Sequence, residues 1–467
     1  VTAVLDSQLP RAPLPLGLGA ADERWEQCVL AEGVYLTRVI RGAPEREAPA
    51  LPCEVSSRFS LAGGGSGRPT FMTDPSAPVS GNGPWAVHVL EIDPERFGGE
   101  MRAVLGQDRV VGKEAPSSVG ARLGAIASIN GGFFVVGEGN DQVNADGMAG
   151  DPAGLAVIDG RYLSETISGR SVMRWTARDP ATTDFPVMSD TLWLRADEDE
   201  PVRIDGINRV PGRIRMCGGF GDSPFDAPRH DQTCTDDDEL IWFDATWGDH
   251  TPTQADLELV VDAAGRPMGL RPPGGPIPAS AAVLSALGPS ALARLNAWQA
   301  AAHLRLELRF TADGQPYLPP SDWSATNGGP LLVRDGRAID RTQEEGFVEP
   351  LPGAEPQQSP AQYLINTVYL LGYRDAGQPR TLAARTRSGR LLFVLVDGRR
   401  PDWSVGLSLQ DATDLLLHFE AESGMNLDGG GSSALWANGV VVNLVSGGGE
   451  RAVSDVLVLT PSAASRP

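Results

Sequence analysis

Apolar positions along the chain fall into short runs punctuated by glycine, proline and Asn-Gly or Asp-Gly pairs, a rhythm that predicts strands and turns more than helices. Residues 33–40 alternate well enough for a strand, and a loose glycine-rich stretch follows at 61–67. From Trp85 the pattern tightens. Residues 86–92 and 101–105 read as strands from their length and β-branched content. Residues 117–123 predict a short helix closed by Gly124, and 125–129 a strand running into Asn130-Gly131-Gly132-Phe133-Phe134. Asp159-Gly160, Asp335-Gly336 and Asn438-Gly439 each sit between apolar runs, the signature of tight hairpins. The span 279–303 predicts helix, interrupted at Pro289.

The segment 391–443 carries the most structural information. Residues 391–396 are continuously apolar, as for a strand buried on both faces. Ser408 with Asp411 marks a helix start, and Leu409, Ala412, Leu416 and Phe419 form an apolar stripe that Gly424 is expected to end. Residues 425–427 are the next strand, followed by Asp428-Gly429-Gly430-Gly431-Ser432-Ser433. Strand, helix, strand predicts a right-handed crossover and two parallel strands. Asp397 and Asp428, each just beyond its strand, should then share one edge of the sheet, where such sheets bind ligands. Helix, Gly124, strand, Asn130-Gly-Gly echoes this unit, and Asn327-Gly328-Gly329-Pro330 is a third related string. Glycine pairs of this kind permit positive φ or close approach to a ligand.

The fold class that follows is α+β (mixed α/β): a strand-rich sheet packed with a few helices, containing βαβ units, plus a small N-terminal lead-in. Composition narrows the picture further. The 467 residues are 41% apolar and 21% charged, a globular balance. A net charge of −21 argues against nucleic acid and anionic membrane surfaces as partners. No apolar run approaches the ~20 residues of a membrane helix, so no membrane span is expected. Four cysteines allow three pairings; the short loops favour Cys28–Cys53 and Cys217–Cys234, and paired cysteines imply an oxidising compartment. The chain begins at Val1 and not Met, in keeping with a removed leader and a secreted, periplasmic or cell-surface location. High Ala, Arg, Gly and Pro usage points to a GC-rich bacterial genome.

Several strings resemble, in order, those of the phosphodiester glycosidases, a family that includes the lysosomal uncovering enzyme. They are Asn130 to Phe134, Asn327 to Val333, Pro379-Arg380-Thr381, Val396 to Arg399 and Leu427 to Ser433. Residues 439–443 and 449–453 look like the family's ending, and Ile207-Asn208-Arg209 and Trp242 to Thr251 are also similar. The resemblance spans about Trp85 to Leu459, giving a lead-in with one disulfide at 1–75 and a glycosidase domain at 76–467. Two features depart from it: Leu382-Ala383-Ala384-Arg385 after the Pro379 motif, and the insertion around Cys217–Cys234 with its acidic run Asp236 to Glu239, which reads as a solvated face.

The resemblance implies a secreted hydrolase that releases a sugar from a sugar-1-phosphate diester in a phosphorylated glycan or glycopolymer. The alternatives are a glycosidase or lyase acting on a polysaccharide without phosphate, and a non-catalytic carbohydrate-binding envelope protein. Glycoside cleavage commonly uses two carboxylates, here Asp397 and Asp428. Arg380 and Arg399 suit phosphate oxygens through the forked guanidinium. Asn130, Gly131, Asn327, Gly429, Gly430 and Ser432 complete the expected substrate-binding set. The five histidines are scattered and form no triad. No cofactor or metal is expected, with a divalent cation on the oxygens of Asp397, Asp428 and Asn130 as the alternative.

Overall fold

The computed structural model describes residues 6–461 except 63–64, 66–69, 72–77, 80, 82, 138–148, 168, 216–232 and 348–371. Strands dominate. A nine-stranded sheet runs in the order 337–338, 331–334, 421–426, 380–386, 391–396, 85–92, 34–41, 23–31, 57–61, every pairing antiparallel. Strand Leu391–Val396 lies at its heart and is buried on both sides. Leu391, Phe393 and Leu395 join one core, while Leu392, Val394 and Val396 join a second core shared with helix Leu409–His418. Across the first core lies a five-stranded sheet in the order 440–441, 435–437, 127–130, 455–460, 100–105. Another nine-stranded sheet and a five-stranded sheet, the latter carrying helix Pro289–Trp298, build the rest.

The three hairpins form as expected. Each has both turn residues at positive φ, and each closes a register in which Ile158 faces Arg161, Arg334 faces Arg337 and Ala437 faces Val440. Helix Pro116–Leu123 ends at Gly124 with φ 60°, and Ser408 and Asp411 cap the 409–418 helix reciprocally.

Three expectations are corrected. Residues 282–287 of the supposed helical span are a strand, paired on both sides by 239–244 and 257–261. Pro289 starts the helix instead of interrupting one, because proline's missing N–H costs nothing in a first turn. The 409–418 helix stops at Phe419, with Glu420 at φ 58°, and Gly424 lies inside strand Ala421–Asn426. Gly424 is there for space: a Cβ would stand 2.8 Å from that of Ala384 and 3.0 Å from Leu416 Cδ1.

The crossover unit is also more elaborate than expected. Strands 391–396 and 421–426 do run parallel, since both are antiparallel to 380–386, but that strand is wedged between them. The insertion keeps Asp397 and Asp428 at one edge and brings the start of the middle strand, Arg380, to the same edge, with Arg380 opposite Val396. Residues 1–75, expected as a lead-in, contribute strands 23–31, 34–41 and 57–61 to this sheet, and 34–41 pairs along its length with 85–92. The Cys28–Cys53 disulfide is formed. The second expected pair involves Cys217, outside the described residues.

Candidate active site

At the shared edge a chain of side-chain contacts joins the two aspartates. Asp397 is 1% exposed, and its carboxylate is met by N–H groups on all sides. Oδ1 accepts from Asn443 Nδ2 at 2.9 Å; Oδ2 accepts from Trp403 Nε1 at 2.7 Å and the Leu444 amide at 2.9 Å. His88 Nε2 lies 3.4 Å from Oδ2. Asn443 also donates to the Ser433 carbonyl, and Ser433 Oγ is 3.3 Å from the Thr381 hydroxyl. Thr381 donates to Asn130 Oδ1 at 2.9 Å, and Asn130 Nδ2 donates to the Asp428 carbonyl at 2.7 Å. Asn130 therefore locks the two glycine loops together, helped by the Asp428 amide donating to the Gly131 carbonyl.

Asp428 differs in kind from Asp397. It is half-buried, and its carboxylate takes the Gly429 amide at 2.9 Å. Burial pushes its carboxyl up to about 6; the Ser432 hydroxyl, the Arg451 charge and the Gly429 amide oppose the shift, and the nearby Asp455 charge adds to it. Asp455 is itself buried beneath the Asn130 loop, where it accepts from the Gly132 amide (3.0 Å) and the Thr326 hydroxyl (2.7 Å), and burial raises its carboxyl too.

The glycine loop 429–431 is flanked by two exposed arginines. A Cβ at Gly430 would stand 3.0 Å from Arg399 Nη2, and one at Gly431 would stand 2.5 Å from Arg451 Nη2. Gly430 also sits at φ 59°, a backbone conformation that favours glycine. Arg399 sits at φ 59°, a conformation that costs a residue with a Cβ about 1 kcal/mol, with its Nε donating to Gln378 Oε1 at 2.7 Å. Ser432 is fully buried, its Oγ 3.4 Å from Arg451 Nη1.

The other expected residues are placed nearby with different work. Arg380 is fully buried; it donates to the Leu407 and Tyr373 carbonyls and lies 4.8 Å over the Tyr373 ring. Asn327 holds the third glycine string against the first, accepting from the Phe133 amide at 2.8 Å and donating to the Phe133 carbonyl at 3.2 Å. Among the described residues no group of three or more His, Cys, Asp or Glu side chains is arranged to hold a metal ion. Both Asp397 oxygens already face N–H donors, which leaves Asp428 and Asn130 as a thin oxygen set for a cation. Sequence reasoning assigned no role to Arg451, Asn443, Thr381, Trp403 or Asp455. Arg451, Asn443 and Thr381 all lay inside strings already recognised as similar to the family, so the signal was present and unread.

This assembly of three glycine strings and a perturbed carboxylate coincides with a family match. Residues 260–460 match the model of the phosphodiester glycosidase family, and the resemblance read from the motifs is borne out over that part of the chain. The match takes in Asn327, Arg380, Asp397 and Asp428 and leaves Asn130 outside. A crystal structure of a candidate exported protein from Burkholderia pseudomallei is similar over 98% of this chain and 100% of its own, at 25% identity and a TM-score of 0.78. A hypothetical protein from Synechocystis shares the fold over 98% of this chain and 83% of its own, at 17% identity and a TM-score of 0.57. The pro-peptide-inhibited catalytic domain of zebrafish N-acetylglucosamine-1-phosphodiester alpha-N-acetylglucosaminidase aligns over 95% of this chain and 88% of its own. At 11% identity and a TM-score of 0.37, that likeness is too distant to bear on function. No curated protein matches the chain.

Proposed function

We propose that the protein is an exported hydrolase that cleaves the bond between a sugar's anomeric carbon and the phosphate of a sugar-1-phosphate diester. The observation that carries this reading is a half-buried carboxylate titrating near neutrality, Asp428, on a glycine loop flanked by two exposed guanidiniums, Arg399 and Arg451. The family match and the Cys28–Cys53 bridge support it.

In this reading the diester phosphate lies against Arg399 and Arg451, with amides of the Gly429–Ser432 loop as further donors. The anomeric C–O bond breaks, the electron pair leaves with the phosphomonoester, and the two arginines hold its growing charge. A phosphate leaves more readily than an alcohol, so acid assistance matters less than anion stabilisation. Asp428 in its ionised form takes the proton of the attacking water, whose oxygen bonds to the anomeric carbon. Asn130 and Asp397 are positioning residues: the first fixes the Asp428 backbone, and the second anchors the segments around Trp403 and Asn443. Buried Arg380 shapes the edge from beneath.

The test is a panel of sugar-1-phosphate diesters set against ordinary glycosides of the same sugars, with products separated and identified. Release of free sugar and phosphomonoester from the diesters alone is expected. Cleavage of the ordinary glycosides alone, or of neither group, overturns the reading.

A further inference from the structure

The two exposed arginines border Gly430 and Gly431, just after Asp428 in the loop. Before Asp428 the surroundings are aromatic instead. Asn426 Nδ2 donates to the Gly329 carbonyl at 3.0 Å and to the Tyr373 hydroxyl at 2.7 Å. Gly329 passes so close to Phe347 that a Cβ would stand 2.8 Å from its Cε2. Phe347 and Tyr373 are stacked, with centroids 5.5 Å and planes 19° apart. Arg170 lies 4.2 Å from the Phe347 centroid and Arg380 4.8 Å from that of Tyr373, so each of these rings already carries a cation. Phe133 meets both rings at an angle, 6.1 Å from Phe347 and 6.4 Å from Tyr373, and carries no cation among the described residues.

Phe133 and Phe134 are neighbours of the same type in different surroundings. Phe134 is 5% exposed and packs in a core with Val119, Trp436 and Val456. Phe133 is half-buried and belongs to none of the hydrophobic cores among the described residues. Its backbone is nonetheless fixed on both sides. The Asn327 side chain takes its amide at 2.8 Å and its carbonyl at 3.2 Å, and the Ala153 amide donates to the same carbonyl at 2.8 Å. Two residues earlier, the Gly131 carbonyl accepts from the Asp428 amide at 3.2 Å. A ring that only filled space would gain from burial, as Phe134 does. A ring held this firmly beside the candidate base, with part of its surface in water, has that surface to offer a ligand.

A sugar ring carries C–H bonds on its apolar side, and their weakly positive hydrogens are attracted to the negative face of an aromatic ring. We propose that Phe133 is the residue against which the sugar of the substrate lies, a specificity-determining residue that selects sugar-bearing phosphodiesters over others. The inference rests on the proposed function and deepens it: Arg399 and Arg451 take the phosphate, Phe133 takes the sugar ring, and the anomeric carbon between them comes to Asp428.

The test is titration calorimetry of the full chain with glucose, galactose and mannose 1-phosphates and with inorganic phosphate. At least one sugar phosphate should bind more tightly than inorganic phosphate. Phe133→Leu keeps apolar bulk against Phe347 and Tyr373 but has no ring face. It should weaken that sugar phosphate about fivefold or more, with the affinity for inorganic phosphate unchanged. Phe133→Trp keeps a ring face and should stay within about twofold of the parent. Equal sugar-phosphate affinity in the Leu variant and the parent overturns the assignment. So does a parent that prefers no sugar phosphate to phosphate, or an equal fall in phosphate affinity. Cleavage of the diester panel is read separately on the parent. Turnover with an unaffected Leu variant leaves the proposed function standing and removes Phe133, whereas no turnover removes the function and leaves the sugar contact to be decided by the binding arm.

Discussion

Asp428 and Asp397 are the same residue type at the ends of two parallel strands, yet their surroundings give them different work. Asp428 keeps part of its surface in solvent and titrates at about 6, within reach of proton transfer near neutral pH. With the ionised form as base, kcat/KM on a sugar phosphodiester should rise through pH 6 and level above it, and Asp428→Asn should lose about 100-fold or more of the rate. A pH profile that is flat from 5 to 7.5 would count against the assignment. The same shift has a stability consequence of fixed sign. A carboxyl raised from 3.8 to about 6 favours the fold below pH 3.8, and that contribution is lost as pH rises through 6. Asp428→Asn should therefore raise the melting temperature at pH 8 more than at pH 4, measured by calorimetry. At Arg399 and Arg451 the forked geometry is the test: Lys in either position keeps the charge but not the fork. Each Lys variant should lower kcat/KM on the phosphodiester about tenfold with the circular dichroism spectrum intact, and unchanged kinetics in both would remove the phosphate clamp.

Among elements, the strand pair 391–396 and 421–426 shows how far apolar patterning reaches. A continuous apolar run announced a strand buried on both faces, and Ser408 with Asp411 announced the helix, because both are local signals. The intervening strand 380–386 was invisible in that pattern, since nothing in a strand's own residues says which neighbours it will take. Gly424 misled for a related reason: a glycine needed for close packing looks, in one dimension, like a glycine that ends a helix. At the edge, the glycine strings were legible from their repetition, whereas the roles of Arg451, Asn443 and Asp455 depend on strands far apart in sequence meeting in space. Asp397 belongs to this scale, because what it holds are segments. Asn at 397 would keep the shape but lose the charged acceptor for Trp403, Asn443 and Leu444. The expected cost is about 3 kcal/mol, read as a lower urea midpoint with the slope unchanged. A midpoint equal to that of the parent would show that the carboxylate bears no such load.

For the whole molecule, the first strands are integral to the sheet, and the Cys28–Cys53 bridge ties the strand 23–31 to the segment before 57–61. With the cysteines 25 positions apart in sequence, reduction should cost about 3 kcal/mol through the freedom returned to the unfolded chain. A thermal scan with and without reductant measures it, and no change in melting temperature would contradict it.

The wedged strand 380–386 also sets an order of events in time. Its partner 391–396 lies one tight turn away, at 387–390, so that pairing closes a short loop and can form early. Its other partner, 421–426, arrives only after the chain has traversed the 397–420 crossover and laid down a helix. Asp428, carried just past that late strand, therefore reaches its place late, and the Asp397 carboxylate gains its Asn443 and Leu444 partners later still. Refolding followed by amide-hydrogen protection should register 380–396 before 421–426, with catalytic competence returning only alongside the second. On the proposed function, a half-folded chain lacking that strand should therefore show no turnover of a sugar phosphodiester.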